Sequence, residues 1–122
     1  MPAATSLAVA MRPLLPLPIG SLEFHHSALT VVGERWSLAI VGEWTWRRNG
    51  IVATDRNQPT AEDTVCDLCG LELTGVHFSD PAFDGDATFI LSDGSLDIRS
   101  DRAEWETWTF HHDDLDVVFV GL

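Results

Sequence analysis

Lysine is absent from this 122-residue sequence, and its 7 basic residues, all arginine, stand against 19 acidic residues. Binding to nucleic acids depends on clustered Lys and Arg side chains that displace counterions from phosphates, so the formal charge of −12 argues against that partner. The same deficit of positive charge disfavours an anionic membrane surface. Both classes of partner are therefore excluded.

Long apolar runs are also missing, because no stretch reaches the roughly 18 uncharged residues of a membrane-spanning helix. The first 20 residues lack the basic start of a secretory signal, and Arg12 and three prolines interrupt them. We therefore expect a cytoplasmic, unexported protein. Residues 1–18 are predicted to form an extended or disordered lead-in and residues 19–122 a single β-rich domain, with Met11 as an alternative start of the chain.

Motifs of catalysis are missing as well. The sequence contains no Gly-x-Ser-x-Gly nucleophile motif, no glycine-rich phosphate loop and no EF-hand order of acids. A pair of carboxylates acting on a sugar stays open as an alternative, since the sequence gives no separation to test. The prediction is a protein that is not an enzyme and holds no cofactor.

Alternation of apolar and polar residues dominates the rest of the chain and predicts about nine strands. Asn49-Gly50 and Asp93-Gly94 mark tight hairpin turns. Thr60 as N-cap and Gly70 as terminator predict one short helix between them. The predicted fold class is mainly β, or β-rich α+β: a twisted antiparallel sheet or split barrel made of two similar meanders, with one short helix.

The two meanders are inferred from an internal similarity. The segments at 20–24 and 33–40 resemble those at 70–73 and 85–91, and Trp44-Thr45-Trp46 resembles Trp108-Thr109-Phe110. Such spacing is typical of two copies of a small antiparallel unit. Chance similarity between alternating segments is the alternative.

Charge is distributed unevenly along the chain. Residues 1–60 carry five arginines and four acids, a net charge of +1, whereas residues 61–122 carry 15 acids and two arginines, a net charge of −13. A concentrated field of one sign steers an oppositely charged partner towards its site. The second half is therefore the predicted binding region, although acidic surfaces also serve solubility alone.

Cysteine and histidine provide the candidate metal ligands. Cys66 and Cys69 form one C-x-x-C, which supplies two of the four ligands of a zinc site, and His77 is the nearest histidine. The favoured interpretation is that both thiols are small apolar fillers on a helix, so we predict no metal. His111-His112 followed by two aspartates is predicted to be a polar turn rather than an acid–base centre.

A resemblance adds to these patterns. The second half, with Leu68 to Gly70, Ser92-Asp93-Gly94 and Glu104-Trp105, resembles small bacterial β-rich domains of unknown function that carry Leu-x-x-Gly, Ser-Asp-Gly and Glu-x-Trp. Related small acidic proteins occur among immunity proteins of polymorphic toxin systems. The resemblance implies a β fold and toxin neutralisation, and it carries over no catalytic residue.

The predicted function is accordingly a non-enzymatic, acidic protein-binding module that neutralises a basic bacterial toxin domain. Trp105 or Trp108 is the expected aromatic anchor, because buried rings dominate interface hot spots. The alternative is a metal- or small-ligand-binding protein that uses Cys66, Cys69 and histidines. The predicted partner-binding residues are Asp84, Asp86, Asp93, Asp97, Asp101, Glu104, Trp105, Glu106, Trp108, Asp113, Asp114 and Asp116.

Overall fold

The computed structural model describes residues 7–26, 28–78, 86–99, 107–115 and 118–121. Its two short helices, α1 (Leu7–Met11) and α2 (Ala61–Val65), each lead into a 3₁₀ turn, at Arg12–Leu14 and Cys66–Leu68 respectively. Eleven strands lie within the described residues: β1 (Leu17–Pro18), β2 (Ser21–His25), β3 (Ala28–Gly33), β4 (Trp36–Ile40), β5 (Glu43–Arg48), β6 (Ile51–Asp55), β7 (Glu72–Phe78), β8 (Ala87–Leu91), β9 (Ser95–Arg99), β10 (Trp108–His112) and β11 (Phe119–Gly121).

The strands form two antiparallel sheets that do not close into a barrel. The six-stranded sheet has the order β1-β7-β8-β9-β5-β6, and the five-stranded sheet has the order β11-β10-β4-β3-β2. The predicted mainly β, antiparallel fold class is thus confirmed. The structure adds a second short helix, α1, to the single helix that was predicted.

One apolar core lies between the two sheets, because alternate residues of each strand turn the same way. Trp44 and Trp46 on β5 are both buried, as their spacing predicts. Contacts between aromatic rings join the sheets: Phe89 of the larger sheet meets Trp108 of the smaller one edge-on, with ring centroids 5.3 Å apart. Such pairs contribute roughly 0.5–1.5 kcal/mol beyond the area that they bury.

The amino-terminal segment belongs to this core, so the prediction of an extended lead-in does not hold for residues 7–14. Leu7 and Met11 lie one helical turn apart on α1 and are completely buried, and Leu17 pairs with Leu73 of β7. Pro13 is compatible with this arrangement because it stands in the first turn of the 3₁₀ segment, where no backbone N–H is required. Residues 1–6 lie outside the described residues.

The order of elements repeats along the chain. A first repeat (residues 7–55) and a second repeat (residues 61–121) each begin with a short helix and a 3₁₀ turn and continue into antiparallel strands. In each repeat a three-stranded meander, β2-β3-β4 or β7-β8-β9, stays in one sheet, whereas the final hairpin crosses to the other sheet. The two-residue strand β1, which precedes the first meander, also lies in the other sheet, beside β7. The hairpin β5–β6 therefore completes the sheet of β7-β8-β9, and β10–β11 completes the sheet of β2-β3-β4.

The strand register supports this correspondence residue by residue. Trp44 and Trp46 of β5 lie opposite Ile98 and Leu96 of β9, and Trp108 and Phe110 of β10 lie opposite Ile40 and Leu38 of β4. Side-chain contacts follow the same rule, since Phe24 packs against Trp44 as Phe78 packs against Trp108, with centroid distances of 6.2 Å and 6.0 Å. The predicted similarity of the two halves is therefore a structural repeat.

The predicted alignment of the repeats was displaced by one strand. It matched the segment of β4 with that of β8, whereas the register matches β3 with β8 and β4 with β9. The displacement arises because short alternating strands resemble one another in composition, so hydrophobic period alone does not distinguish neighbours. The pairing of Trp44-Thr45-Trp46 with Trp108-Thr109-Phe110 was correct.

Two local predictions need correction or fall outside the described residues. His111 and His112 belong to β10 rather than to a turn, and His112 is buried, with its Nδ1 accepting a hydrogen bond of 2.9 Å from the backbone N–H of Asp114. Trp105, which was predicted to be an aromatic anchor, lies outside the described residues.

Replacement of Leu7 by alanine tests the place of α1 in the core. We expect Leu7→Ala to lower the free energy of unfolding by about 2–4 kcal/mol, because a fully buried side chain leaves a cavity. Val9 on the same helix is 66% exposed, so Val9→Ala is a matched control with an expected change below about 0.5 kcal/mol. Urea unfolding with unchanged m values measures both. Equal effects of the two variants would contradict this packing.

Candidate functional site

Arginines of the first repeat contact aspartates of the second where β5 lies beside β9. The guanidinium of Arg47 donates to Asp97 at 2.8 Å, and Arg48 donates through Nε to Asp93 at 3.0 Å and through Nη2 to the same carboxylate. These side chains are between 32% and 45% exposed. Ion pairs at such exposure contribute about 0–1 kcal/mol each, so they fix positions more than they stabilise the fold.

The five-stranded sheet carries a corresponding contact. Arg35, in the turn between β3 and β4, pairs with Asp114 and lies 3.8 Å from Asp113, just beyond the end of β10. Here again the arginine belongs to the first repeat and the aspartates to the second. Although basic and acidic residues are concentrated in different halves of the sequence, the fold therefore brings several of them together.

The predicted partner-binding acids consequently do not form one free surface within the described residues. Asp93 and Asp97 lie on the six-stranded sheet, and Asp113 and Asp114 lie beside the five-stranded sheet. Asp86, just before β8, is half-buried and has an interaction of its own. The remaining predicted residues lie outside the described residues: Asp84, Asp101, Glu104, Trp105, Glu106 and Asp116.

Trp108 does not provide a surface anchor. Its side chain is 0% exposed and packs between Phe78 and Phe89 in the core. The alternation of β10 explains the error, because Trp108, Phe110 and His112 all turn inwards. Trp105, the other expected anchor, lies outside the described residues.

A different surface is formed at the end of the six-stranded sheet, where two tight turns meet. Asn49 and Gly50 close the β5–β6 hairpin with φ values of 54° and 76°, the positive values that a type I′ turn requires. Gly94, with φ of 93°, closes the neighbouring β8–β9 turn, and a Cβ atom there would lie 1.9 Å from the carbonyl oxygen of Arg47. Glycine is therefore needed for the two turns to come this close.

Two carboxylates, those of Asp93 and Asp67, act on the guanidinium of Arg48 at this end of the sheet. The hydrogen bond from Arg48 to Asp93, and then the charge of Asp93, raise the pKa of Arg48 above its ordinary value, and Asp67 adds a smaller contribution. The start of β7 also lies at this end of the sheet. The backbone N–H of Glu72 donates a hydrogen bond of 2.9 Å to the hydroxyl of Ser92, the residue before Asp93. Arg48 also covers the ring of Trp46, 5.2 Å from its centroid.

Apolar side chains stand beside these charges. Ile51, opposite Arg48 in the hairpin, is 72% exposed, and Val52 is 45% exposed. The helix α2, which packs against β6, contributes the exposed acids Glu62 and Asp63. We call Arg48, Ile51, Asp67 and Asp93 the hairpin-end surface, and Val52, Glu62 and Asp63 lie at its margin on β6 and α2.

Sequence reasoning missed the apolar part of the hairpin-end surface. Ile51 and Val52 looked like an ordinary returning strand, and nothing in the alternation showed that β6 is the last strand of its sheet. The available signal was the three consecutive apolar residues after the Asn49-Gly50 turn, because a half-buried strand would alternate with polar residues. An exposed apolar patch among charges is typical of an interaction site.

The two thiols are both exposed, which is contrary to the expectation that they fill the core. Cys66 donates a hydrogen bond to the carbonyl of Glu62, and the backbone N–H of Cys69 closes the 3₁₀ turn on the carbonyl of Cys66. The first repeat forms the same turn with Arg12 and Leu15 in their places, so the fold does not require cysteine here. Within the described residues, no cluster of three or more His, Cys, Asp or Glu side chains is placed to hold a metal ion, and His77 joins none.

Comparisons with protein-family models, with curated proteins and with solved structures give no match. The resemblance to immunity-type domains therefore stays a prediction. Neither helix in the described residues has the length and hydropathy that crossing a bilayer demands.

Trp46 offers a test of the polar atoms beneath the hairpin-end surface. Its indole N–H is completely buried without an acceptor in the described part of the chain, and the corresponding residue of the second repeat is Phe110. An unpaired buried donor costs about 1–3 kcal/mol, which offsets the packing that Trp46→Phe removes. We expect Trp46→Phe to change the free energy of unfolding by less than about 1 kcal/mol.

Trp44→Phe is the matched control, because it deletes the same atoms at a position where both repeats carry tryptophan. Trp44 packs edge-on against Phe24, so we expect this variant to lose about 2–3 kcal/mol in the same urea titration. A loss for Trp46→Phe as large as that for Trp44→Phe would show that its N–H is satisfied.

Proposed function

We propose that this protein is a non-enzymatic protein-binding module that binds a basic partner through the hairpin-end surface. The observation that carries the proposal is the exposed side chain of Ile51, which lies opposite Arg48 in the hairpin, together with the carboxylates of Asp93 and Asp67 that act on that guanidinium. This arrangement resembles a protein–protein interface, in which an apolar centre supplies affinity and charged residues around it supply orientation.

The finer proposal is that the partner is a bacterial toxin domain and that binding neutralises it. A toxin that acts on an anionic substrate needs its own Lys and Arg residues, and an acidic protein competes with that substrate for them. Support comes from the net charge of −12, the absence of lysine and the sequence resemblance of the second half to immunity-type domains. In this role Ile51 takes the place of the expected tryptophan anchor.

The product of the neighbouring gene is the partner to test, by co-purification and by protection of cells that express it. For a partner that binds, we expect Asp63→Lys combined with Asp67→Lys to slow association by about 10- to 100-fold at low salt, because steering by opposite charge is reversed. Ile51→Ser should instead speed dissociation by about tenfold, because it removes an apolar contact. Surface-coupled binding kinetics measures both rates.

Matched controls lie away from the hairpin-end surface. Glu23→Lys reverses an exposed charge on β2 of the other sheet, and Val9→Ser alters an apolar residue of similar exposure on α1. Both controls should bind like the wild type at equal ionic strength. A neighbouring product that does not bind would refute the immunity proposal, and hairpin-end variants that bind unchanged would refute the proposed surface.

A second candidate function rests on the exposed pair Cys66 and Cys69. Two thiolates on one turn favour a soft cation such as Zn²⁺, which needs two further ligands, with histidines as the predicted source. Elemental analysis of the purified protein tests this candidate, with a Cys66→Ser, Cys69→Ser variant as control. Stoichiometric zinc that disappears in the variant would support it, and zinc-free wild-type protein after growth in zinc-supplemented medium would refute it.

A further inference from the structure

The two repeats are joined by strand pairing at three places. Each sheet takes a meander from one repeat and a hairpin from the other, so the backbone ladders β5–β9 and β4–β10 both join different repeats. A third contact joins them near Pro18 and Glu72, which are opposite each other and occupy corresponding positions in the two repeats. The repeats are thus related by an approximate two-fold axis, and three strand pairings connect them: β5 with β9, β4 with β10, and β1 with β7.

This symmetry is broken by charge at one corresponding pair of positions. Arg35 and Asp93 occupy the same place in the two meanders, each in the turn five residues before a matched isoleucine, Ile40 or Ile98. Each of them contacts the hairpin that the other repeat contributes to its sheet. Arg35 pairs with Asp113 and Asp114 of the second repeat. Asp93 pairs with Arg48 of the first repeat. The two contacts lie at corresponding ends of the ladders β5–β9 and β4–β10 and are opposite in polarity.

We infer that the two repeats are a charge-selected binding pair: each repeat fits the complementary repeat, whether of its own chain or of a second copy, and rejects a repeat of its own kind. Pairing two first repeats would bring Arg35 against Arg48. Pairing two second repeats would bring Asp93 against Asp113 and Asp114. Like charges placed together oppose the wrong pairing, which is how charge gives an interface its specificity.

The covalent connection between the repeats is not needed for this fit. Residues 56–60 form a surface loop closed by local hydrogen bonds, such as that of 3.2 Å from the Gln58 N–H to the Asp55 carbonyl. Residues 57–60 are exposed. The ladders β5–β9 and β4–β10, in contrast, join the two repeats directly, and the core is continuous across them. The partner that fits an isolated repeat is therefore the complementary repeat of a second copy of this chain.

Cleavage of the folded full-length protein tests the fit. A specific protease site is inserted between Asn57 and Gln58, and the protein is cut after folding, with the uncut insertion variant as control. We expect both fragments to elute together at the mass of the uncut protein and to keep its near-UV circular dichroism. Fragments that separate without denaturant, each folded, would overturn the inference.

Exchange between copies tests the selectivity. Two cleaved preparations, one with an affinity tag on the second repeat, are mixed in urea and diluted into buffer. The tagged second repeat should retain the untagged first repeat of the other preparation and no untagged second repeat. A preparation tagged on the first repeat should give the converse result. Retention of like repeats would overturn the selectivity.

A charge reversal identifies the responsible residue. In the cleaved protein, Arg35→Glu should weaken association of the fragments by roughly tenfold, because it sets a third carboxylate beside Asp113 and Asp114. Arg12→Glu makes the same change of net charge at an exposed position of the first repeat and should leave association unchanged. Equal effects of the two variants would refute the role of Arg35.

Discussion

The pairing of β5 with β9 and of β4 with β10 is the contact on which the remaining structure depends. Without these ladders, each repeat would be a three-stranded meander and a separate two-stranded hairpin, and an isolated hairpin is marginally stable at best. The ladders bring Trp44 and Trp108 into the space between the sheets, where each meets a phenylalanine from the opposite sheet. Core formation and exchange of strands between the repeats are therefore one event.

The pairing of the repeats also explains where many of the acidic side chains lie. Along the sequence the acids of the second half look like a binding field, yet several of them contact arginines of the first half. These exposed ion pairs add little to the stability of the fold. Their proposed role is to favour the pairing of complementary repeats and to oppose the pairing of like repeats. Asp67 of the 3₁₀ turn, which acts on Arg48 opposite the exposed Ile51, and the exposed acids of the preceding α2 then become the acids that the proposed partner would meet.

Local features of the fold were predictable because they depend on neighbouring residues. The turns at Asn49-Gly50 and Asp93-Gly94 and the inward face of Trp44 and Trp46 follow from backbone conformation and period alone. Features that depend on distant strands were not predictable. The alternation of apolar and polar residues does not show which sheet a hairpin joins, so it did not reveal the contact of Arg48 with Asp93. It also did not show that α1 packs on the core, so the burial of Leu7 was not predicted.

The position of β5 has a consequence for synthesis of the protein on the ribosome. Its partners on either side are β6, made directly after it, and β9, made only after the whole meander of the second repeat. Until then β5 has an unpaired edge where β9 later binds, and Ile98 and Leu96 are not yet beside Trp44 and Trp46. Translation of the missing residues takes about several seconds, so the nascent chain passes through an interval in which aggregation competes with folding.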